Sequence, residues 1–220
     1  MKPAQQSSTM ISLLGAQRVI PIVEIENRRD APDLAKLLVD EGIPVIEVVL
    51  RTEEALAAIE AMAAIGGCCV GAGSTITSDQ FASVLDAGAA FVVSPGVNST
   101  IMDFATRSPI PILPGAMTPT EILHLHQFGY DFVKLFPAQS AGGPETIRAI
   151  AGPLPGIRFC PTGGVNEQTL LSYLGCRPVI CAGGSWLTPR RSITDHDWPG
   201  IRERIRITRS ILNQHTPSLA

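Results

Sequence analysis

The sequence predicts an α/β fold, a single-domain (β/α)8 barrel of the TIM type spanning residues 1–220. Three observations predict it. Eight short runs rich in Val, Ile, Phe and Cys recur along the chain, with starts 19 to 26 residues apart. Helical patterns with recognisable starts and stops fill the intervals. Eight strand–helix units call for parallel strands joined by crossover helices, and eight is the number that closes a barrel. The competing open, doubly wound sheet is disfavoured because no GxGxxG opens the first unit.

The first fifteen or so residues precede the count and are read as an extra N-terminal helix over the barrel bottom, or as a frayed segment. The runs themselves are VIPIVEI (19–25), VIEVVL (45–50), CCVGAG (68–73) and FVVSP (91–95). They continue as IPILPGA (110–116), FVKLFPA (132–138), RFCPTGG (158–164) and VICAGGS (179–185). APDLAKLLVDEG and EEALAAIEAMAAIGG between them carry apolar residues at helical spacing. Thr77 to Gln80 makes a capping box, and Gly88 stops the helix it opens. Thr118, Pro119 and Glu121 mark another helix start, with Gly129 as its stop. Asn166 precedes EQTLLSYLG in the same manner. Residues from about 186 to 220 are a C-terminal loop and helix, in which IRERIRITR reads as amphipathic.

Composition narrows the function classes. The chain has 220 residues, 45% of them hydrophobic, and a formal net charge of −3. The absence of a broad basic face argues against nucleic acid as a partner. No run reaches the ~20 apolar residues of a membrane span, and no signal peptide is visible, so a cytoplasmic location is expected. The five cysteines fit no zinc spacing and read as small core residues in a reducing compartment. His124 and His126 stand two apart on a predicted helix and so do not face one metal site. His196 and His215 read as solvated. No metal or cofactor is expected.

One residue stands out against this background. Lys134 interrupts the apolar run FVKLF, where an ammonium is costly unless something uses it. Alternation puts Phe132, Lys134 and Phe136 on one face and Val133 and Leu135 on the other. The second set suits packing against helices, so Lys134 faces inward near the C-terminal end of its strand, where barrel enzymes place their chemistry. Of the 17 Lys and Arg residues only Lys2, Lys36 and Lys134 are lysine. A lysine amine, unlike a guanidinium, can lose its proton and attack a carbonyl. In the second run, Glu47, Val49 and Arg51 share the inward parity, which brings a carboxylate and a guanidinium to the same mouth. The plain alternatives are a snorkelling lysine or a structural Glu47–Lys134 ion pair. The seventh and eighth runs end TGG and GGS, and barrel phosphate sites are often built by the loops after those two strands.

Together EVVLRT, GAGS, SPG, LPGAMTPTE, FVKLFPA, RFCPTGG and CAGGSWL resemble, in order, the 2-dehydro-3-deoxy-phosphogluconate aldolases. That family also includes enzymes acting on 4-hydroxy-2-oxoglutarate. The resemblance runs from about Val19 to Leu187. It implies a class I aldolase, usually a homotrimer, acting on 2-keto acid and sugar-phosphate substrates. It implies a Schiff base on Lys134, general acid/base work by Glu47 and a carboxylate seat on Arg51. Thr162 would lie over the reacting carbons, and Ser74 and Pro95 would sit against the substrate. Gly163, Gly164, Gly184 and Ser185 would cradle the phosphate. Two departures are visible. Ser74 stands where the family commonly has threonine, with Thr75 as the alternative contact, and Val49 replaces another frequent threonine.

The chemistry needs these groups. Breaking C3–C4 of a 2-keto acid leaves carbanion character at C3, which an iminium on the lysine withdraws into an enamine. A carboxylate can take the C4 hydroxyl proton and return one to the enamine. A sugar-phosphate isomerase or epimerase, or a non-catalytic sugar-acid-phosphate sensor, could share the glycine loops. Neither has an evident use for the lysine–glutamate pair.

Overall fold

Alternation along the strands sorts the buried side chains into two separate cores in this computed structural model, which describes residues 1–214. His215 and the end of the expected C-terminal segment lie outside the described residues. The chain opens on α1 (Pro3–Gly15), then runs β1 (Val19–Val23), α2 (Ala31–Asp40), β2 (Val45–Val49), α3 (Ala55–Ala63) and β3 (Cys69–Gly73). It continues through α4 (Ser78–Asp86), β4 (Val92–Val93), α5 (Ser99–Arg107), β5 (Ile112–Leu113) and β6 (Gly115–Ala116). Next come α6 (Pro119–Gln127), β7 (Phe132–Leu135), α7 (Gly143–Ala151), β8 (Arg158–Pro161), α8 (Leu170–Leu174) and β9 (Ala182–Gly184). The helices α9 (Arg190–Thr194) and α10 (Trp198–Gln214) follow.

All the strand pairs are parallel. One ladder runs β5-β4-β3-β2-β1-β9 and a second runs β6-β7-β8. The expected fifth strand is therefore two strands, broken at Pro114. Proline has no N–H to donate to a ladder. Ile112 and Leu113 pair with β4, while Gly115 and Ala116 pair with β7. At the other junction, two isolated bridges at the margins of β8 and β9, Phe159–Val179 and Thr162–Gly183, take the place of a ladder. A single continuous eight-stranded ladder is thus not what the pairing gives.

Side chains of one parity, among them Val23, Ile46, Val48, Val70, Val92 and Val133, pack with the helices. Those of the other parity, including Ile20, Val45, Phe91, Val93, Leu113 and Phe132, form a second cluster with Met10 and Leu14 of α1. Of the two readings of the N-terminal segment, the docked helix is the one observed. Its buried Gln6 donates to Ala105 O at 2.6 Å and accepts from the Ile112 N–H and the Tyr130 hydroxyl. Gln17, just beyond α1, bridges β1 and β2 by donating to Val19 O and Val45 O and accepting from Val45 N–H. This plugs the end of the inner face remote from Lys134.

The expected capping box forms at Thr77/Gln80, and the helix start expected at Thr118 closes as a second one, Thr118/Glu121. Asn166 accepts from the N–H groups of Gln168 and Thr169, but regular helix begins only at Leu170, a turn later than expected. His124 and His126 are exposed on α6. His196 is exposed, as expected, while its Nε2 lies 2.8 Å from Asp30 Oδ1 and its ring stacks on Trp198. Cys160, Cys176 and Cys181 are buried and Cys68 and Cys69 half-buried, all as free thiols. Burial pushes the Cys68 thiol up to about 11. Among the described residues no helix is long and apolar enough to cross a membrane.

Candidate active site

Lys134 and Glu47 meet because their strands present them at one level of the inner face. Glu47 pairs in register with Gly71 of β3 and Ile22 of β1, and Lys134 with Gly115 and Cys160. Lys134 Nζ lies 3.4 Å from Glu47 Oε1. Both residues are almost fully buried, at 5% and 4% exposure. The Phe136 ring sits 5.2 Å from the same Nζ, presenting its negative face to an ammonium. Removing this much charge from water is unfavourable in a mere core.

The pair opens into a cavity of about 280 Å³, to which Val49, Arg51, Ser74, Pro95 and Thr162 also contribute. Of the expected residues, seven therefore share one space: Lys134, Glu47, Thr162, Arg51, Ser74, Pro95 and the departing Val49. Thr162 is buried, its hydroxyl 3.5 Å from the Cys160 carbonyl. Ser74 takes a left-handed conformation, φ 60°, which aims the chain over the cavity and is uncommon for a non-glycine residue. Thr75 is fully buried and its hydroxyl has no partner, so Ser74 is the residue at the cavity wall.

Several of the expected residues have settings that the sequence does not show. Arg51 follows the end of β2 with a side chain 55% exposed, and its Nη1 faces Glu24 Oε2 at 3.8 Å. Gly184 packs tightly, since a Cβ there would overlap the Trp186 ring. Gly163 and Gly164 form a left-handed turn, φ 94° and 80°, outside the walls of the lysine cavity. Ser185 lines a neighbouring lobe of about 350 Å³, which shares Ile22, Val49 and Arg51 with the first.

Sequence reasoning missed two supporting glycines. A Cβ on Gly73 would overlap the Glu47 carboxylate, and one on Gly183 would come within 2.7 Å of the Thr162 hydroxyl. Their signal was parity: Gly73 lies opposite Val49, one pleat from Glu47 on the inner face. Beneath the pair, the Cys181 thiol is held well above its ordinary value by hydrogen bonding with Cys160, by burial, and by the charges of Cys160 and Glu47. It therefore stays protonated and does not compete as a nucleophile. Among the described residues no group of His, Cys, Asp or Glu could hold a metal ion.

A buried amine and carboxylate facing one cavity at the C-terminal ends of parallel strands is the arrangement that a lysine-dependent carbon–carbon lyase requires. A family model described as KDPG and KHG aldolase matches residues 10–204, and the chain belongs to that family. It is 42% identical over 186 residues to a 2-dehydro-3-deoxy-phosphogluconate aldolase of Pseudoalteromonas atlantica, covering 84% of this chain and 86% of that one. It is 39% identical to the KHG/KDPG aldolase of Escherichia coli, covering 89% and 92%. Among solved structures it resembles the KDPG aldolase of Legionella pneumophila, with TM-score 0.86 and 39% identity, covering 89% of this chain and 95% of that one. In that crystal structure pyruvate was captured as a covalent carbinolamine intermediate.

Proposed function

We propose that the chain is a class I aldolase that cleaves 2-dehydro-3-deoxy-6-phosphogluconate to pyruvate and glyceraldehyde 3-phosphate. The observation that carries this reading is the 3.4 Å approach of Lys134 Nζ to Glu47 Oε1 inside a cavity otherwise walled by Arg51, Ser74, Pro95 and Thr162. Lys134 attacks the C2 carbonyl, and loss of water gives the iminium. Glu47 takes the C4 hydroxyl proton as the C3–C4 bond breaks, and the electron pair passes into the enamine. Protonation at C3 from Glu47 and hydrolysis then release pyruvate and the free amine.

Arg51 matches the planar carboxylate of the keto acid with paired donors. Thr162 packs over the reacting carbons, and Ser74 and Pro95 close the side of the cavity. Gly163, Gly164, Gly184 and Ser185 take the phosphate, Ser185 from the second lobe and the glycines through their backbone. The two isolated bridges between the β8 and β9 segments, and the hydrogen bonds Ser94 N–H to Leu113 O and Lys134 N–H to Pro114 O on either side of the break, support one closed (β/α)8 domain. Five free thiols fit a cytoplasmic location. Assembly as a homotrimer rests on the family resemblance.

Pyruvate release from 2-dehydro-3-deoxy-6-phosphogluconate tests the reading. The wild-type chain turns it over, and Lys134→Arg does not. Turnover by Lys134→Arg at the wild-type rate contradicts the mechanism. The same assay with 4-hydroxy-2-oxoglutarate ranks the two substrates named in the family description.

A further inference from the structure

The mouth of the site carries charges around Arg51 that the chemistry above does not use. Glu24 lies just beyond β1 with its side chain 22% exposed. Its Oε1 accepts from Arg190 Nη1 at 2.7 Å, and its Oε2 faces Arg51 Nη1 at 3.8 Å. The other nitrogen of Arg190, Nη2, is paired with Glu26. Arg190 and Glu24 line the second lobe, and Arg51 belongs to both lobes.

The two contacts to Glu24 differ in kind. Arg190 makes a charge-assisted hydrogen bond, whereas 3.8 Å leaves Arg51 attracted but beyond hydrogen-bond reach. Two carboxylates thus balance two guanidiniums at the mouth. Taking Arg190 away leaves Glu24 and Glu26 against Arg51 alone. Glu24 then competes for Arg51 and repels any incoming carboxylate.

We propose that Arg190 is a positioning residue: by occupying Glu24 it keeps the Arg51 guanidinium available to the carboxylate of the keto acid. This rests on the reading of Arg51 as the carboxylate seat. Both guanidiniums are more than half exposed, so water and salt screen the effect.

The test measures kcat, KM and the pyruvate concentration giving half-maximal borohydride trapping for Arg190→Gln, Glu24→Gln, the double variant and Arg51→Gln. Exposed pairs of this kind correspond to about a three- to fivefold change in affinity. Arg190→Gln is expected to raise KM and the half-trapping concentration by that factor at low salt, with kcat unchanged. Adding Glu24→Gln brings both back toward wild type, and raising the salt shrinks the single-variant defect. An unchanged KM in Arg190→Gln, or a rise that Glu24→Gln does not reverse, overturns the proposal. Wild-type KM in Arg51→Gln instead overturns the carboxylate-seat reading on which it stands.

Discussion

At the residue scale the site turns on two ionisable groups held 3.4 Å apart out of water. Glu47→Gln keeps the shape and removes the proton carrier, so kcat should fall by about 10²- to 10⁴-fold while trapping of the iminium persists. Gly73→Ala tests the space around that carboxylate. The added methyl overlaps Glu47, and overpacking of this kind costs about 1–3 kcal/mol. A lower urea midpoint together with a lower kcat is the expected outcome. Stability and rate both at wild-type values would show that Glu47 is free to move. Lys134 and Glu47 are legible in the sequence because each is a charge on the inward parity of an apolar run. The setting of Arg51 is not, because its partner Glu24 comes from another strand and sits past the last paired residue, where alternation no longer dictates direction.

At the scale of elements, local chemistry reads well and junctions read poorly. The Thr77 capping box and the Thr118 helix start are visible as short-range patterns, and both form. Thr118→Ala should lower stability by about 1 kcal/mol in urea unfolding. The break at Pro114 escapes a reading based on hydrophobic runs, since it depends on which neighbour each half of the run pairs with. The C-terminal helix shows the same limit. Its amphipathic pattern is plain and buries Ile201 and Ile205, yet its polar side is tied to Glu41 after α2. That carboxylate receives Arg202 and Arg206, and Arg209 donates to the Glu41 carbonyl at 2.5 Å. Burial acts to raise the Glu41 pKa, but the hydrogen bond from Arg202 and the charges of Arg206 and Arg202 hold it below its ordinary value of 4.5. A depressed carboxylate contributes stability above its unfolded value and loses it as pH falls through the folded one. Glu41→Gln should therefore be less stable than wild type at pH 7, by about 0.5–1 kcal/mol after allowing for screening. The gap should close as the pH falls below 4.5. An equal gap at pH 7 and pH 3.5 would remove the charge from the explanation.

At the scale of the whole molecule, alternation divides the strands between a helix-facing core and an inner core plugged by α1. The periodicity of two is enough to make both faces legible, and with them the end at which the site lies. How the two ladders join is not legible, because it rests on two isolated bridges and a proline rather than on repeated pairing. Assembly belongs to this scale as well. Sedimentation equilibrium should return a mass of three chains, and a single-chain mass with full activity would show that the site needs no partner.

The most direct test of the central claim is borohydride reduction in the presence of pyruvate, followed by mass mapping. One reduced pyruvate per chain is expected, on Lys134, and none on Lys134→Arg. A wild-type chain that turns over its substrate while Lys134 stays unmodified would contradict it.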